Sequence, residues 1–184
     1  SQRVRLLTGA SGFVLWLTGL PASGKSTLAR ELADALRERG HTVQILDSDA
    51  LRSVLTPSPS YSAQERNWFY RVLAFIAGLL AKNGVDVLIA ATANRRRHRA
   101  YARREIELFE EVFVRCSLET CIQRDEKGTY DKALSGEATT VPGLQAPYEP
   151  PRDPLVVVDT ENTTPWQGVH QILSQLEEVS YLEP

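Results

Sequence analysis

The sequence predicts a three-layer α/β fold, in which a parallel sheet of about five strands is covered by helices on both faces. Short runs of consecutive apolar residues alternate along the chain with segments that have the 3.6-residue periodicity of helices. The runs are apolar at nearly every position, as strands of a parallel sheet must be when helices bury both of their faces. This alternation of strand and helix selects the α/β class.

The first strand, residues 13–18, reads FVLWLT and precedes a helix at residues 25–38, which Gly40 ends. Leu28 and Leu32 lie on the apolar face of that helix. The other predicted strands are residues 43–46, 85–91, 111–116 and 155–159. The other predicted helices are residues 62–83, 101–108 and 166–178.

Composition is consistent with one globular domain spanning residues 1–184, with a mass of 20.5 kDa and a hydrophobic fraction of 42%. Lys and Arg number 21 against 23 Asp and Glu, so the chain lacks the basic excess of a protein that coats nucleic acid. No stretch approaches the roughly 18 apolar residues of a membrane helix, and the first residues do not resemble a signal peptide. Cys116 and Cys121 form neither a zinc set nor a disulfide framework. We expect a cytoplasmic protein without nucleic-acid or membrane partners.

A phosphate-binding motif of the form G-x-x-x-x-G-K-[ST] occupies residues 19–26, between the first strand and the first helix. Its glycines let backbone N–H groups wrap an anion, and the helix directs its positive dipole end at the same point. Lys25 supplies charge for the terminal phosphates, and the Ser26 hydroxyl suits Mg²⁺. The predicted ATP-binding residues of this loop are Gly19, Leu20, Pro21, Ala22, Ser23, Gly24, Lys25, Ser26 and Thr27.

Two carboxylates, Asp47 and Asp49, follow the second strand, where they can project into the crevice beside the phosphate loop. The third strand ends in residues 90–92, Ala-Ala-Thr, and offers no carboxylate of the kind that holds Mg²⁺ in GTPases and motor ATPases. With Lys25, we therefore predict a catalytic set in which Asp47 supports Mg²⁺ and Asp49 orients and deprotonates an acceptor hydroxyl. The alternative is that the two acids only cap a helix or a turn.

Residues 124–154 interrupt the alternation of strands and helices, because they are polar and contain five prolines. A segment of this length is either a functional lid or a disordered insertion. Its first part, residues 124–137, reads RDEKGTYDKALSGE and closely resembles the signature of the adenylyl-sulfate kinases. Residues 18–27 and the D-x-D-x-x-R element at 47–52 are similar to that family too, and the likeness extends from about residue 12 to 160.

This resemblance implies a P-loop kinase fold with a lid and transfer of the ATP γ-phosphate to the 3′-hydroxyl of adenylyl sulfate. It also implies a homodimer and adds Arg124 to the ATP-binding residues. Two highly charged substrates need several converging cations. The predicted substrate-binding residues are Arg52, Tyr61, Arg66, Phe69, Arg71, Arg96, Arg99, Lys127, Lys132, Val141, Gly143 and Leu144.

The basic run at residues 95–99 follows the third strand, and this position at the carboxyl end of a strand predicts that the run lies in the ligand crevice. From charge alone, a solvated loop or a weak RNA contact is the alternative. Arg96 and Arg99 align with two arginines of the family.

Departures from the family pattern cluster on the acceptor side. Phe69 stands where the family has an asparagine, and Val141 stands where a phenylalanine stacks on the acceptor adenine. Ala93 and Asn94 replace a serine and a proline, and without that serine hydroxyl only direct in-line transfer is possible at this position. The residues that resemble the family's ATP site are intact.

Three functions are therefore weighed. The first is an adenylyl-sulfate kinase with an altered acceptor pocket, and the second is a kinase of the same scaffold that phosphorylates another nucleotide or an anionic metabolite. The third is a nucleotide-binding partner with little catalysis, against which the intact Lys25, Ser26, Asp47 and Asp49 argue. Binding of adenylyl sulfate in the presence of ADP separates the first function from the second.

Overall fold

Five parallel strands form the central sheet in the computed structural model, which describes residues 11–183. The strands are β1 (Val14–Thr18), β2 (Val43–Asp47), β3 (Asp86–Ala90), β4 (Phe109–Arg115) and β5 (Val156–Asp159). The helices are α1 (Lys25–Glu38), α2 (Ser48–Leu55), α3 (Ala63–Lys82), α4 (Arg96–Glu105), α5 (Leu118–Gln123), α6 (Thr129–Leu134) and α7 (Pro165–Glu178). No helix within the described residues is both long and apolar enough to cross a membrane.

The strand order is β2-β3-β1-β4-β5, so the chain leaves β1 toward one edge of the sheet and later returns to build the other. In open α/β sheets, ligands bind beyond the carboxyl ends of the strands where the order reverses. Here that point lies at the end of β1, between β3 and β4. The topology therefore collects the segments that follow β1, β2 and β3 at one edge of the sheet.

Alternation along β1 separates two apolar cores, one on each face of the sheet. Leu15 and Leu17 pack with residues of α1 and α7, whereas Val14 and Trp16 pack with residues of α3 and α4. All five residues of β1 are buried, and the Trp16 indole N–H donates to the carbonyl of Ala91 at 3.1 Å. The three-layer arrangement predicted from the sequence is confirmed.

Most predicted elements are present with bounds within two residues, and α1 has the predicted bounds. The bounds predicted for the helix at 101–108 are wrong, because α4 covers Arg96–Glu105 and so begins five residues earlier and ends three residues earlier. Its buried face consists of His98, Arg99 and Ala102, so polar side chains hide the apolar periodicity there. The short helices α2 and α6 were not predicted, since each is shorter than the window of roughly 11 to 18 residues over which helical periodicity is recognised.

Residues 124–154 are packed against the domain rather than extended into solvent. Helix α6 lies within this segment, and Tyr130, Ala133 and Val141 join Cys116 and Cys121 in a small apolar core of their own. Tyr130 is fully buried, and its hydroxyl donates to the carbonyl of Pro21 at 2.9 Å. This packing favours the lid over the disordered insertion.

His98 generates a prediction about pH. Its ring is buried, and the ring centroids of His98 and Tyr70 are 4.8 Å apart. Burial lowers the pKa of His98 to about 4, and the positive charges of four nearby arginines, Arg97, Arg66, Arg99 and Arg95, lower it in the same direction. The unfolded chain, with an ordinary histidine pKa near 6.5, takes up this proton first as pH falls. The free energy of unfolding therefore falls between pH 6.5 and 4, and His98 accounts for up to about 3 kcal/mol of that fall.

Urea denaturation at several pH values tests this effect. The slope of stability against pH should be shallower in His98→Gln than in the unaltered chain, because glutamine does not titrate. The control is His170→Gln on the exposed face of α7, which should leave the slope unchanged. Equal slopes in all three proteins would contradict the buried, neutral state of His98.

Candidate active site

The phosphate loop joins β1 to α1 and contains two residues with left-handed backbone, Ala22 with φ 61° and Gly24 with φ 97°. Positive φ is costly at alanine, and surrounding contacts hold the turn in place. The Thr160 hydroxyl donates to the carbonyl of Ser23 at 2.9 Å, and Tyr130 bonds Pro21 as described above. The loop after β5 and helix α6 thus brace the phosphate loop from two sides.

The Lys25 ammonium lies inside this loop. Its Nζ donates to the carbonyls of Leu20 at 2.6 Å and Gly19 at 3.2 Å. Burial lowers the pKa of Lys25 to about 8, and nearby groups, including the carboxylates of Asp49 and Asp47, partly oppose that effect. The amine therefore remains mostly protonated at neutral pH, and its direct partners are neutral carbonyls. A charge held in this way is suited to phosphate oxygens.

Ser26 and Asp47 form a pair of oxygen donors beside the loop. The Ser26 hydroxyl donates to Oδ2 of Asp47 at 2.7 Å, while Oδ1 of Asp47 accepts from the N–H of Asp49 at 2.9 Å and so caps α2. The structure therefore confirms that Asp47 caps a helix, while its other oxygen bonds the phosphate loop, and the roles in metal binding and proton transfer stay predictions. Among the described residues no cluster of three or more His, Cys, Asp or Glu could hold a metal. One hydroxyl and one carboxylate fit Mg²⁺, which keeps several waters and phosphate oxygens.

Asp49 lies in the first turn of α2 and faces the segment 124–154. Its Oδ2 accepts from Nζ of Lys127 at 2.5 Å, with both side chains largely exposed. The hydrogen bond to Asp49 raises the pKa of Lys127. The contact joins α2 to the start of α6 across the mouth of the cleft.

Arg52 lies on a wall of aromatic rings. Its guanidinium carbon is 3.8 Å from the centroid of the Phe69 ring and 5.0 Å from that of Tyr61, and it bonds Glu65 at 3.3 Å. The Glu65 carboxylate also accepts from the N–H of Ser60 at 2.6 Å, beside Tyr61 with φ 52°. Glu65 therefore holds the strained turn that presents the Tyr61 ring.

Arg66 is the second buried arginine of this wall. Its guanidinium donates to the carbonyls of Tyr61 at 3.1 Å and Thr140 at 2.8 Å, and to Oδ1 of Asn94 at 3.1 Å. Burial lowers the pKa of this group from its usual value. Its hydrogen-bond partners in the described part of the chain are neutral oxygens, so its positive charge is not neutralised by a directly bonded carboxylate.

These groups line one cleft of about 1660 Å³ at the carboxyl edge of the sheet. A pocket for one small ligand usually measures about 300–1,000 Å³, so this cleft has room for two. The predicted site residues that line it are Pro21, Ala22, Gly24, Lys25, Ser26, Thr27, Asp47, Asp49, Arg52, Tyr61, Arg66, Arg124, Lys127, Lys132 and Val141. Gly19, Leu20 and Ser23 belong to the inner side of the phosphate loop, where they contact Lys25.

Three of the predicted substrate-binding arginines do not line the cleft. Arg71 is on the outer face of α3, with its guanidinium 5.0 Å from the Tyr101 ring centroid, since five residues after Arg66 a helix has turned away. Arg99 is fully buried and donates to the carboxylate of Glu111, at 2.5 Å, and to the carbonyl of Ala93. Arg96 donates to the carbonyl of Pro150 at 2.7 Å. Two arginines of the basic run therefore tether the segment near Pro150.

Phe69, Gly143 and Leu144 also lie outside the cleft lining. Phe69 is fully buried beneath Arg52, so its ring is a support and has no face for a nucleotide base. Gly143 has φ 90°, and a Cβ placed there would meet the Leu20 side chain at 2.6 Å. Leu144 follows it in the same turn, and its side chain is partly exposed.

Sequence reasoning missed residues whose role depends on distant contacts. Thr160 and Tyr130 brace the phosphate loop, and Asn94 and Thr140 bond Arg66. Tyr130 belongs to the family-like motif at residues 124–137, and in the sequence Asn94 is distinguished only by standing in place of a proline. No local pattern indicated Thr140 or Thr160.

A sequence profile of the family described as adenylylsulphate kinase matches residues 11–159. The chain belongs to this family. It is 41% identical to a probable adenylyl-sulfate kinase of Pyrococcus abyssi over 93% of this chain and 98% of that protein. It resembles the structure of the Mycobacterium tuberculosis APS kinase in complex with AMPPNP and APS, with a TM-score of 0.85 and 35% identity. The match covers 91% of this chain and 98% of that one. A hexameric APS kinase from Thiobacillus denitrificans matches with a TM-score of 0.70, 30% identity and coverage of 95% of this chain and 30% of that one.

The contact between Gly143 and Leu20 generates a prediction about nucleotide binding. Gly143→Ala adds a Cβ that pushes on Leu20, so the phosphate loop shifts and the affinity for ADP falls several-fold, measured by calorimetry. Gly136→Ala is the matched control, because φ is 81° there and nothing lies within 4 Å of the added Cβ. Each variant loses about 1 kcal/mol of stability from left-handed alanine. Equal ADP affinities in the two variants would contradict the steric link.

Proposed function

We propose that this chain transfers the γ-phosphate of ATP to the 3′-hydroxyl of adenylyl sulfate and produces 3′-phosphoadenylyl sulfate. The observation that carries the proposal is one cleft with a phosphate loop at one end and an arginine and tyrosine wall at the other. Asp49 lies between them, on α2. Family membership and the resemblance to an APS kinase complexed with AMPPNP and APS support the same substrate pair.

ATP is proposed to place its phosphates in the loop of residues 19–26. Lys25 would move its ammonium from the loop carbonyls to the terminal phosphates, and the N-terminus of α1 adds positive potential. Ser26 and Asp47 would hold Mg²⁺, which neutralises phosphate charge when bound. Arg124 lines the same end of the cleft, where it donates to the carbonyl of Thr160 at 3.0 Å.

Adenylyl sulfate is proposed to bind against Arg52, Tyr61 and Arg66. The two guanidiniums supply charge for its sulfate–phosphate anhydride, and Tyr61, 42% exposed, presents a ring for the adenine. Because Phe69 is buried and Val141 is aliphatic, Tyr61 is the aromatic group proposed to stack on the base.

Asp49 is proposed to accept the proton of the 3′-hydroxyl as the oxygen attacks the γ-phosphorus. The new oxygen–phosphorus bond forms while the bond from the γ-phosphorus to the β–γ bridging oxygen breaks, and ADP leaves with that electron pair. Ala93 has no hydroxyl, so the transfer is direct at this position. Lys127, bonded to Asp49 at 2.5 Å, and Lys132 would close over the phosphates with the lid, residues 124–154.

An ADP-release assay with Mg·ATP tests the proposed function. Release should depend on adenylyl sulfate, and mass spectrometry should identify 3′-phosphoadenylyl sulfate as the product. The matched control acceptor is 3′-deoxy adenylyl sulfate, which keeps every charge but has no hydroxyl to attack. ADP release that is equal with both acceptors, or independent of them, would refute the proposal and favour another hydroxyl acceptor.

Replacement of the proposed base gives a specific prediction. Asp49→Asn keeps the shape of the side chain but cannot take a proton, so kcat should fall by about 100- to 1,000-fold while the KM for adenylyl sulfate changes little. The control is Asp34→Asn, an exposed acid of α1 that pairs with Arg37 at 2.9 Å far from the cleft. A kcat within a factor of a few of the unaltered value would refute this role.

We also propose a homodimer formed through the outer face of α3. Trp68, Phe75 and Leu79 are 49%, 65% and 56% exposed along this helix, which is much apolar surface for one helix to leave in water. Light scattering should give twice the 20.5 kDa chain mass, and Phe75→Glu should reduce it to one chain mass. The control Val54→Glu, at an exposed apolar position on α2, should keep the larger mass. A monomer, or the same mass in Phe75→Glu, would contradict this interface.

The cytoplasmic location remains a prediction of the sequence.

A further inference from the structure

Asn94 connects three parts of the molecule at the edge of the cleft. It follows β3 and is 4% exposed. Its Oδ1 accepts from Nη1 of Arg66 on α3 at 3.1 Å, and its Nδ2 donates to the carbonyl of Pro147 at 3.0 Å. Its own carbonyl accepts from the N–H of Glu149 at 2.8 Å. A single buried residue in the loop after β3 thus joins that loop to Arg66 of the cleft and to the end of the segment 124–154.

The chemistry of its neighbours determines the orientation of this amide. A guanidinium only donates and a carbonyl only accepts, so the amide oxygen must face Arg66 and the amide nitrogen must face Pro147. Neither an aliphatic side chain nor a carboxylate satisfies both partners. Asparagine is therefore suited to hold the guanidinium without adding a negative charge.

The position of the Arg66 guanidinium depends on few side chains. Two of its partners, the carbonyls of Tyr61 and Thr140, belong to exposed or partly exposed residues, while Asn94 is 4% exposed in the buried loop between β3 and α4. Exposed loop residues move more readily than a buried residue that is bonded to several parts of the molecule. Asn94 is thus the rigid reference point for this arginine.

We infer that Asn94 is a positioning residue for the acceptor, which holds Arg66 on the cleft wall with its charge available to the anhydride of adenylyl sulfate. The inference rests on the proposed function and extends it to a residue that touches neither substrate. Loss of the amide lets the guanidinium turn away, whereas a carboxylate holds it but cancels its charge. Both changes weaken the acceptor site and leave the phosphate loop intact.

Steady-state kinetics with both substrates test this role. Asn94→Ala should raise the KM for adenylyl sulfate roughly tenfold, as expected for loss of one charge-assisted hydrogen bond, while the KM for ATP stays within about twofold. Asn94→Asp should raise the acceptor KM further, because the new carboxylate neutralises Arg66 and faces the Pro147 carbonyl. The control is Asn83→Ala, which removes an amide that donates to the Leu79 carbonyl at 2.8 Å at the far end of α3.

A second variant covers the case in which Asn94→Ala does not fold. Thr140→Val removes only the hydroxyl that accepts from Arg66 at 3.2 Å and should raise the acceptor KM alone, by about two- to threefold. If the KM values for ATP and adenylyl sulfate rise together, or the acceptor KM stays normal in Asn94→Ala, the inference is overturned while the proposed function stands. If the unaltered chain shows no turnover or binding with adenylyl sulfate, both are overturned.

Discussion

Burial of β1 at the centre of the sheet is the constraint on which the rest of the structure depends. All five of its residues are buried between two cores, so its carboxyl end has little freedom to move. The phosphate loop starts at this end, and α1 continues directly from it. A left-handed alanine and a buried ammonium are both costly, and they persist because a rigid strand, α6 and the loop after β5 hold the turn. The site is therefore a consequence of the core.

Two buried arginines, Arg99 and Arg66, differ in the charge of their partners. Arg99 is fully buried beside Glu111, and the bonds to carbonyls around it make it a structural tether. Arg66 is nearly as buried, yet neutral oxygens surround it and it lines the cleft. A buried cation with neutral partners favours an incoming anion, whereas one already paired with a carboxylate does not. This difference separates Arg66 from Arg99, whereas Arg52 lines the cleft while it bonds Glu65 at 3.3 Å.

Local patterns in the sequence were sufficient for the sheet, the phosphate loop and the pair Asp47 and Asp49. Continuous apolar strands and a spaced motif are short-range signals that tertiary contacts do not alter. They were insufficient for α4, whose buried face is His98, Arg99 and Ala102, and whose basic first turn bonds the segment near Pro150 and does not line the cleft. The side on which a charged helix residue lies depends on its distant partners. Arg99 is positioned by Glu111 and Glu149, which alignment of local motifs does not reveal.

Two of the departures from the family pattern, Phe69 and Asn94, act on neighbouring arginines of the cleft. Phe69 provides the ring beneath the Arg52 guanidinium at 3.8 Å, a support that an asparagine side chain does not give. Asn94, in place of proline, provides the amide that bonds Arg66. Both changes act on arginines that contact Tyr61, with centroid distances of 5.0 Å and 5.6 Å. Phe69 thus supports one arginine and Asn94 holds the other, so both positive charges stay beside the Tyr61 ring.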